Sequence, residues 1–326
     1  MATSNNIGTV ETRDEIVEAA LRLLGQLGEG ESASSQQVMD GQKTLNRMVK
    51  AWQNQGIHLW KYAEASLFLQ DGQAGYTVGT GATDHCTETY YSTTLSADAS
   101  SGDSTITVTS DDNISDGDFI GIVLDDSTMQ WTTVNGAPVA NVVTLTDNLT
   151  DDATSGNAIY NYTNKINKPN RILNVRRYDI SAEQDVPIMS FGRSEYFSQP
   201  NKTNEGLTVN LYYDRQRTNG TIYLWPTPNS DITNLIKFSY QKPFEVFDSS
   251  ADEADFPQEF LEAMVYGLAV RLSPEYGLDF NERAFLKQEA EQYLNEAKMF
   301  DREPESIYMQ PNFDGTGYAG NTDGTN

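Results

Sequence analysis

The tightest constraint on this chain lies in residues 223–276, where a strand pattern stops at proline and a four-residue apolar rhythm takes over. Tyr223-Leu224-Trp225 has the aromatic and aliphatic character of a strand, and Pro226 and Pro228 end it because proline gives no N–H to a sheet ladder. Further on, Phe256, Phe260, Met264, Leu268 and Leu272 recur at spacing four, with Leu261 and Val265 beside them. That spacing predicts one buried stripe of a helix. Asp255 is read as its cap, Pro257 as a first-turn residue, Gln258 as the third position and Ser273-Pro274 as its end. No catalytic set falls in this stretch, which reads as scaffold.

More helix signals lie on both sides. Asp279 and Glu282 open a second C-terminal helix, whose apolar positions are Leu286, Ala290, Tyr293, Ala297 and Phe300. At the other end, Thr12 and Glu15 form a capping box, followed by Ile16, Ala20, Leu23, Leu24 and Leu27 on one face. Gly25, Gly28 and Gly30 loosen the end of that helix. Another begins after Ser34 or Ser35 and runs to about Gln55, with Val38, Leu45, Met48, Val49 and Trp52 on one side and Gly56 as its stop. Two helices alone do not close a core, so the two terminal pairs are expected to pack together.

Between them the signal is β. No Lys or Arg occurs between Lys61 and Lys165, and short β-branched runs at 105–109, 119–124 and 142–146 alternate with polar turns. Residues 112–116 (Asp-Asn-Ile-Ser-Asp) echo 147–151 (Asp-Asn-Leu-Thr-Asp), each after a Thr/Val strand, which fits a small structure with two similar corners. Beyond Asn170 the strands lengthen: 207–213 and 221–225 as a hairpin across Asn219-Gly220, then 235–240. The expected fold is α+β, with a helical core from the N- and C-terminal helix pairs, an antiparallel β domain, and a small β-barrel or sandwich insertion. The expected boundaries are 1–60 and 251–302 for the helix pairs, 61–80 with 165–250 for the β domain, 81–164 for the acidic insertion, and 303–326 for a partner-docking tail.

Charge excludes some functions. With 47 Asp and Glu against 22 Lys and Arg, the formal charge is −25. A protein that grips nucleic acid needs cations to displace counterions from phosphates, so this balance suits a surface that DNA slides past. The single cysteine, Cys86, allows no intrachain disulfide. The first ten residues lack the basic and apolar regions of a secretory signal, and no apolar run approaches the roughly 20 residues of a membrane helix. A soluble chain, intracellular at synthesis, is expected.

Chemical motifs are thin. Residues 79–84 (Gly-Thr-Gly-Ala-Thr-Asp) lack the third glycine and the βα setting of a dinucleotide fingerprint. Residues 112–117 superficially suggest a calcium loop, but Ile114 and Val123 occupy two ligand positions, leaving a turn. His85-Cys86 and His58 are too few for a zinc site. Acidic pairs are too abundant for any one to mark a glycosidase. No catalytic residue, metal ligand or cofactor is expected.

Six arginines fall between 170 and 247: Arg171, Arg176, Arg177, Arg193, Arg215 and Arg217. They either touch DNA phosphates or an acidic partner, or neutralise carboxylates between subunits or across the sheet; the overall charge favours the second. Arg176, Arg177, Arg193, Arg215 and Arg217 are the candidate charge contacts. The tail keeps Ile307, Tyr308, Met309, Phe313 and Tyr318 in a Gly-, Asn- and Asp-rich background, as a segment that orders on a partner would.

Taken together, these pieces resemble the head-to-tail adaptors of short-tailed bacteriophages, also known as tail accessory or packaged-DNA stabilisation proteins. The resemblance rests on residues 12–60, Tyr223-Leu224-Trp225-Pro226, Phe256-Pro257-Gln258-Glu259-Phe260 and Leu268-Ala269-Val270-Arg271-Leu272. It also touches Gly117-Asp118-Phe119-Ile120-Gly121-Ile122 and Gln130-Trp131-Thr132. It implies a non-enzymatic virion protein of the neck between capsid and tail. In such adaptors a homo-oligomeric ring of about twelve copies sits beneath the portal protein ring, a cyclic assembly of the kind head-to-tail contacts close. The ring extends the conduit for genome DNA, which passes without sequence-specific binding, and receives the tail nozzle and possibly tail fibres; no membrane is involved. The resemblance also implies that the C-terminal segment docks on the portal, giving Tyr308, Met309 and Phe313 an anchoring role. A tail-associated cell-wall hydrolase and a tail fibre or receptor-binding module are the other classes, and neither explains paired terminal helices.

Overall fold

The structure, a computed structural model, describes residues 10–55, 59–229 and 234–301. Local capping fixes the first helices. In α1 (Arg13–Leu23) Glu15 accepts the Thr12 N–H at 2.8 Å while the Thr12 hydroxyl accepts the Glu15 N–H at 3.4 Å, completing the expected box. In α2 (Ser35–Gln53) Ser34 and Gln37 repeat the arrangement. The buried stripe of α1 is Ile16, Val17, Ala20, Leu21 and Leu24. Leu23, expected in it, is exposed, because it sits about a quarter turn from the centre of that stripe.

Apart from a one-turn helix α3 (Arg193–Phe197) among the strands, the remaining helices are α4 (Leu261–Leu272) and α5 (Phe280–Phe300). All four long helices share one core, with α4 in its centre: Ala263, Met264, Leu268 and Ala269 are fully buried against α1 and α2. Two glycines permit this closeness. A Cβ on Gly41 would stand 2.6 Å from Val17 Cγ1, and one on Gly267 would stand 2.9 Å from Met48 Sδ.

Two C-terminal expectations are corrected. Asp255 does not cap α4, which is entered through a 3-10 turn, Gln258–Phe260, preceded by Pro257. Its carboxylate instead pairs with the buried Lys61 ammonium and accepts the Glu245 N–H at 3.2 Å. Phe300 is exposed, not part of the buried stripe of α5, because the 21-residue α5 outruns the 12-residue α4 it packs on.

The strands run β1 (Tyr62–Phe68), β2 (Gly75–Val78), β3 (Cys86–Thr87), β4 (Tyr91–Thr94), β5 (Thr105–Thr107), β6 (Phe119–Val123), β7 (Met129–Thr133) and β8 (Val142–Thr144). They continue with β9 (Ala158–Tyr162), β10 (Arg171–Asp179), β11 (Gln184–Pro187), β12 (Met189–Ser190), β13 (Asn210–Arg215), β14 (Gly220–Trp225) and β15 (Asn234–Gln241). A five-stranded sheet, β11-β10-β15-β1-β3, and a four-stranded one, β12-β13-β14-β2, share a core of Ala65, Leu67, Tyr76, Val78, Leu211, Ile222, Phe238 and Tyr240. The hairpin between β13 and β14 pairs Arg215 with Gly220, so residues 216–219 form its loop. Gly220 is therefore a strand residue, not the turn residue that Asn219-Gly220 suggests, and its missing side chain leaves room for the Tyr213 ring.

The insertion has its own core and two sheets, β4-β9-β6-β7 and β5-β8. None of the sheets closes into a barrel, although the isolated bridges Leu95–Val108 and Val134–Leu145 join the two sheets of the insertion at their corners. The sequence echo is structural: β5 and β8 pair with each other, and the matched residues Ile114 and Leu149 both bury in the insertion core.

Candidate assembly surfaces

A polar stripe on α2 ties the helices to the sheets. Gln42, Asn46, Lys50 and Gln53 are spaced by four, four and three, so they line one helix face. Gln42 donates to the Phe247 carbonyl at 2.7 Å; Asn46 donates to the same carbonyl and accepts the Phe247 N–H, both at 2.9 Å. Lys50 donates to the Phe244 carbonyl, and Gln53 accepts the Phe244 N–H at 3.3 Å. The segment leaving β15 thus borrows side chains of α2 in place of a strand partner, with Phe244 and Phe247 buried in the helical core. In the sequence these four residues look like an ordinary solvent face.

A second junction fixes the insertion. Neighbours on a strand face opposite ways, so Leu67 enters the core between the sheets while Phe68 points outward. There Phe68 meets Tyr90, Trp131, Tyr160 and Tyr162 of the insertion, with ring centroids 4.9 to 6.3 Å away. Gly121 makes space for Trp131, since a Cβ would fall 2.8 Å from its ring.

The only histidine among the described residues belongs to this junction. His85 stacks on Trp131 at 4.0 Å, and its Nδ1 lies 2.6 Å from the Tyr162 hydroxyl. Burial, and then the Lys165 ammonium, push its imidazole from 6.5 down to about 3. The unfolded chain therefore takes up this proton near 6.5, whereas the folded chain resists until about 3. The contribution is complete above 6.5 and declines as pH falls through that window, by at most about 1.4 kcal/mol per pH unit. Urea unfolding at pH 7 and pH 5 should show the wild type losing more stability than His85→Gln; equal losses would contradict the assignment. Adjacent Cys86 faces the core between the sheets, where burial pushes its thiol up and leaves it unreactive. His58 and Gly56 lie outside the described residues.

The acids of the insertion have local work. Asp98, Asp103, Asp116 and Asp118 accept backbone N–H groups of Ser155, Ser100, Gly136 and Ser115 at 2.7 to 2.8 Å. Hydrogen bonds from Thr154 and Asn157 hold the Asp125 carboxyl below its usual 3.8. Carboxylates that close turns still carry charge, so residues 81–164 present thirteen Asp and Glu without one Lys or Arg. Among the described residues, no three His, Cys, Asp or Glu side chains converge as a metal site, and no helix is long and apolar enough to cross a membrane.

The predicted arginines do not form one cluster. Arg176 on β10 is held by Glu64 at 2.9 Å and Asp185 at 3.1 Å within the chain, and Arg177 donates to the Thr208 carbonyl at 3.1 Å. Arg193 lies over the Phe197 ring, 5.4 Å from its centroid. Arg215 and Arg217 are exposed near Arg171 at the other end of β10. Ile307, Tyr308, Met309, Phe313 and Tyr318 lie outside the described residues.

Two exposed apolar regions went unnoticed in the sequence. On α5, Phe280 (80% exposed), Phe285, Met299 and Phe300 (72%) face solvent. At the sheet edge, β11 ends the larger sheet and β12 the smaller one, and every residue of both is exposed, Val186 and Met189 included. Such an edge offers unpaired backbone groups to another chain. Both regions are candidate surfaces for assembly.

No curated protein matches this chain. Among solved structures, it is similar to the VP16-VP17 complex of the two major capsid proteins of bacteriophage P23-77, at 11% identity and a TM-score of 0.12, over 55% of this chain and 82% of that one. VP17, a capsid protein of the same phage, gives 14% identity and a TM-score of 0.12, over 59% of this chain and 77% of that one. Likeness that low carries no argument. The sequence profile of the SU10 adaptor protein family, in contrast, matches residues 141–312, more than half of the chain. The match runs from the second corner of the insertion through both sheets and the C-terminal helices, and the chain belongs to the SU10 adaptor protein family, the structural adaptors of phage particles.

Proposed function

We propose that this virion protein is the ring-forming head-to-tail adaptor of a short-tailed phage. About twelve copies sit beneath the portal, joined head to tail so that the rotation closes. They extend the conduit for the genome and receive the tail nozzle. The observation that carries the reading is the family match over residues 141–312; the charge of −25 supports it, because an acidic lumen repels phosphate and lets DNA pass. In this reading the helix pairs of 1–60 and 251–302 form the packing unit, and 61–80 with 165–250 is the β domain that carries the insertion 81–164. The tail, 303–326, grips the portal through Ile307, Tyr308, Met309, Phe313 and Tyr318. Arg193, Arg215 and Arg217 serve charge contacts across subunits or to partners, Arg176 and Arg177 serve the sheet within their own chain, and the work is assembly without chemistry.

Sedimentation velocity tests the docking step. The chain alone should run as a monomer at physiological salt and co-sediment with the portal of the same phage. Removing residues 303–326 should abolish co-sedimentation while the far-ultraviolet spectrum of the helices persists. A stable ring formed by the chain alone, or undiminished portal binding without the tail, would count against the proposal.

A further inference from the structure

Lys168, Arg171 and Arg215 line one shallow cleft with Gln53 and Asn54. Arg217 adjoins it, since its carbonyl accepts a proton of the Lys168 ammonium at 3.1 Å. Lys168 also donates to the Gln216 carbonyl at 2.9 Å, and Arg215 to that of Asn170 at 3.1 Å. Those neutral oxygens orient the cations and leave their charge standing. Among the described residues none of the four meets a carboxylate, whereas Lys61, Arg176 and Lys242 each do. In a chain with 47 acids and only 22 bases, four grouped cations without an anionic partner run against the composition.

The complement lies elsewhere on the same molecule. Residues 81–164 hold thirteen acids and no Lys or Arg, and among the described residues only Glu88, with Lys242, is ion-paired. It is seated on the outer face of the larger sheet at Phe68, and its acids form no ion pair with the patch in their own chain. We propose that the patch of Lys168, Arg171, Arg215 and Arg217 docks the acidic insertion of a second copy. Guanidinium groups suit this partner because their planar forks engage carboxylates two bonds at a time. Carboxylate is favoured over nucleic-acid phosphate by the −25 field, which repels a duplex, and by stoichiometry, since each patch arrives with one insertion. Patch and insertion are different surfaces, so the contact is heterologous, the type that generates rings. The inference rests on the adaptor reading only for the ring; the contact itself is measurable without a portal.

The test is a charge swap, read by sedimentation velocity of the full chain with folding checked by circular dichroism. Wild type should self-associate at about 0.02 M salt and dissociate by about 0.5 M, where the Debye length has shrunk to a few ångströms. Near 0.15 M the contact is weak between free chains and becomes effective where a template holds copies side by side. Arg171→Glu with Arg215→Glu, and separately Asp112→Lys with Asp151→Lys, should each weaken low-salt association at least ten-fold. Mixing the two variants should restore pairwise association, because the native patch of one then meets the native insertion of the other. A wild type that stays monomeric at low salt, variants that associate as it does, or a mixture that stays apart would overturn the proposal. So would gel retardation of duplex DNA by wild type that Arg171→Glu/Arg215→Glu abolishes, since the patch would then read phosphate. Any of these outcomes leaves portal binding to be judged on its own measurement.

Discussion

Gly41→Ala should destabilise the protein by roughly 1–3 kcal/mol, the range for overpacking a filled core. The direction is informative, because the same change inside a helix ordinarily stabilises by about 1 kcal/mol. Here the new methyl would lie 2.6 Å and 3.0 Å from the two Cγ atoms of Val17. Valine is stiff about χ1 and cannot swing clear, so α1 or α2 must move. Gly267→Ala meets Met48 Sδ at 2.9 Å, but methionine adapts, and its cost should be smaller. In a Val17→Ala background the obstruction is gone, and Gly41→Ala should become nearly neutral. Thermal unfolding of the four proteins checks this; a melting temperature raised by Gly41→Ala in the wild type would show that the two helices are not in this contact.

Phe68→Ala should cost about 3–5 kcal/mol, as for other fully buried aromatic truncations, and its effect should be regional. Phe68 is 1% exposed and is the one residue of β1 in the aromatic junction. The insertion core of Ile120, Val143, Ile159 and their neighbours is separate from that junction. Loss of Phe68 should therefore free the insertion from the larger sheet before melting it. Hydrogen exchange should show protection lost along β1 and β3 while β5, β6, β8 and β9 stay slow. Uniform loss across all strands would mean that junction and insertion unfold as one unit.

These contacts explain which parts of the fold could be read from the sequence. Thr12 and Glu15 announce a helix start because both partners of the capping box lie within one turn. The echo between 112–116 and 147–151 was legible for a similar reason: each corner is a local turn with one buried anchor, Ile114 or Leu149. Asp255 was misread because a capping aspartate and an ion-paired one look alike, and its partner Lys61 is 194 residues away. His85-Cys86 was too small a set for a zinc site, and adjacency in sequence hides that the two side chains part company. The structure sends the imidazole to the aromatic junction and the thiol to the core between the sheets.

The assembly surfaces were least visible. The stripe Gln42, Asn46, Lys50 and Gln53 differs from a solvated helix face only through Phe244 and Phe247, which come about 200 residues later. Exposed Phe280 and Phe285 sit in a helix whose pattern predicts one apolar stripe, and only its packing on α4 shows which residues are left over. The arginines read as one group because they are close in sequence. The structure separates Arg176, which its own chain neutralises, from Arg171, Arg215 and Arg217, which it does not. A signal was available in Lys168, whose position three residues before Arg171 places a fourth cation at the same end of β10.

The central claim is that this family member joins a phage head to its tail, and electron microscopy of the chain mixed with the portal of the same phage tests it most directly. The account predicts a closed ring of extra density on the narrow end of the portal, with about the portal's own symmetry. Bare portals beside free chains, under conditions where the chain is folded, would contradict it.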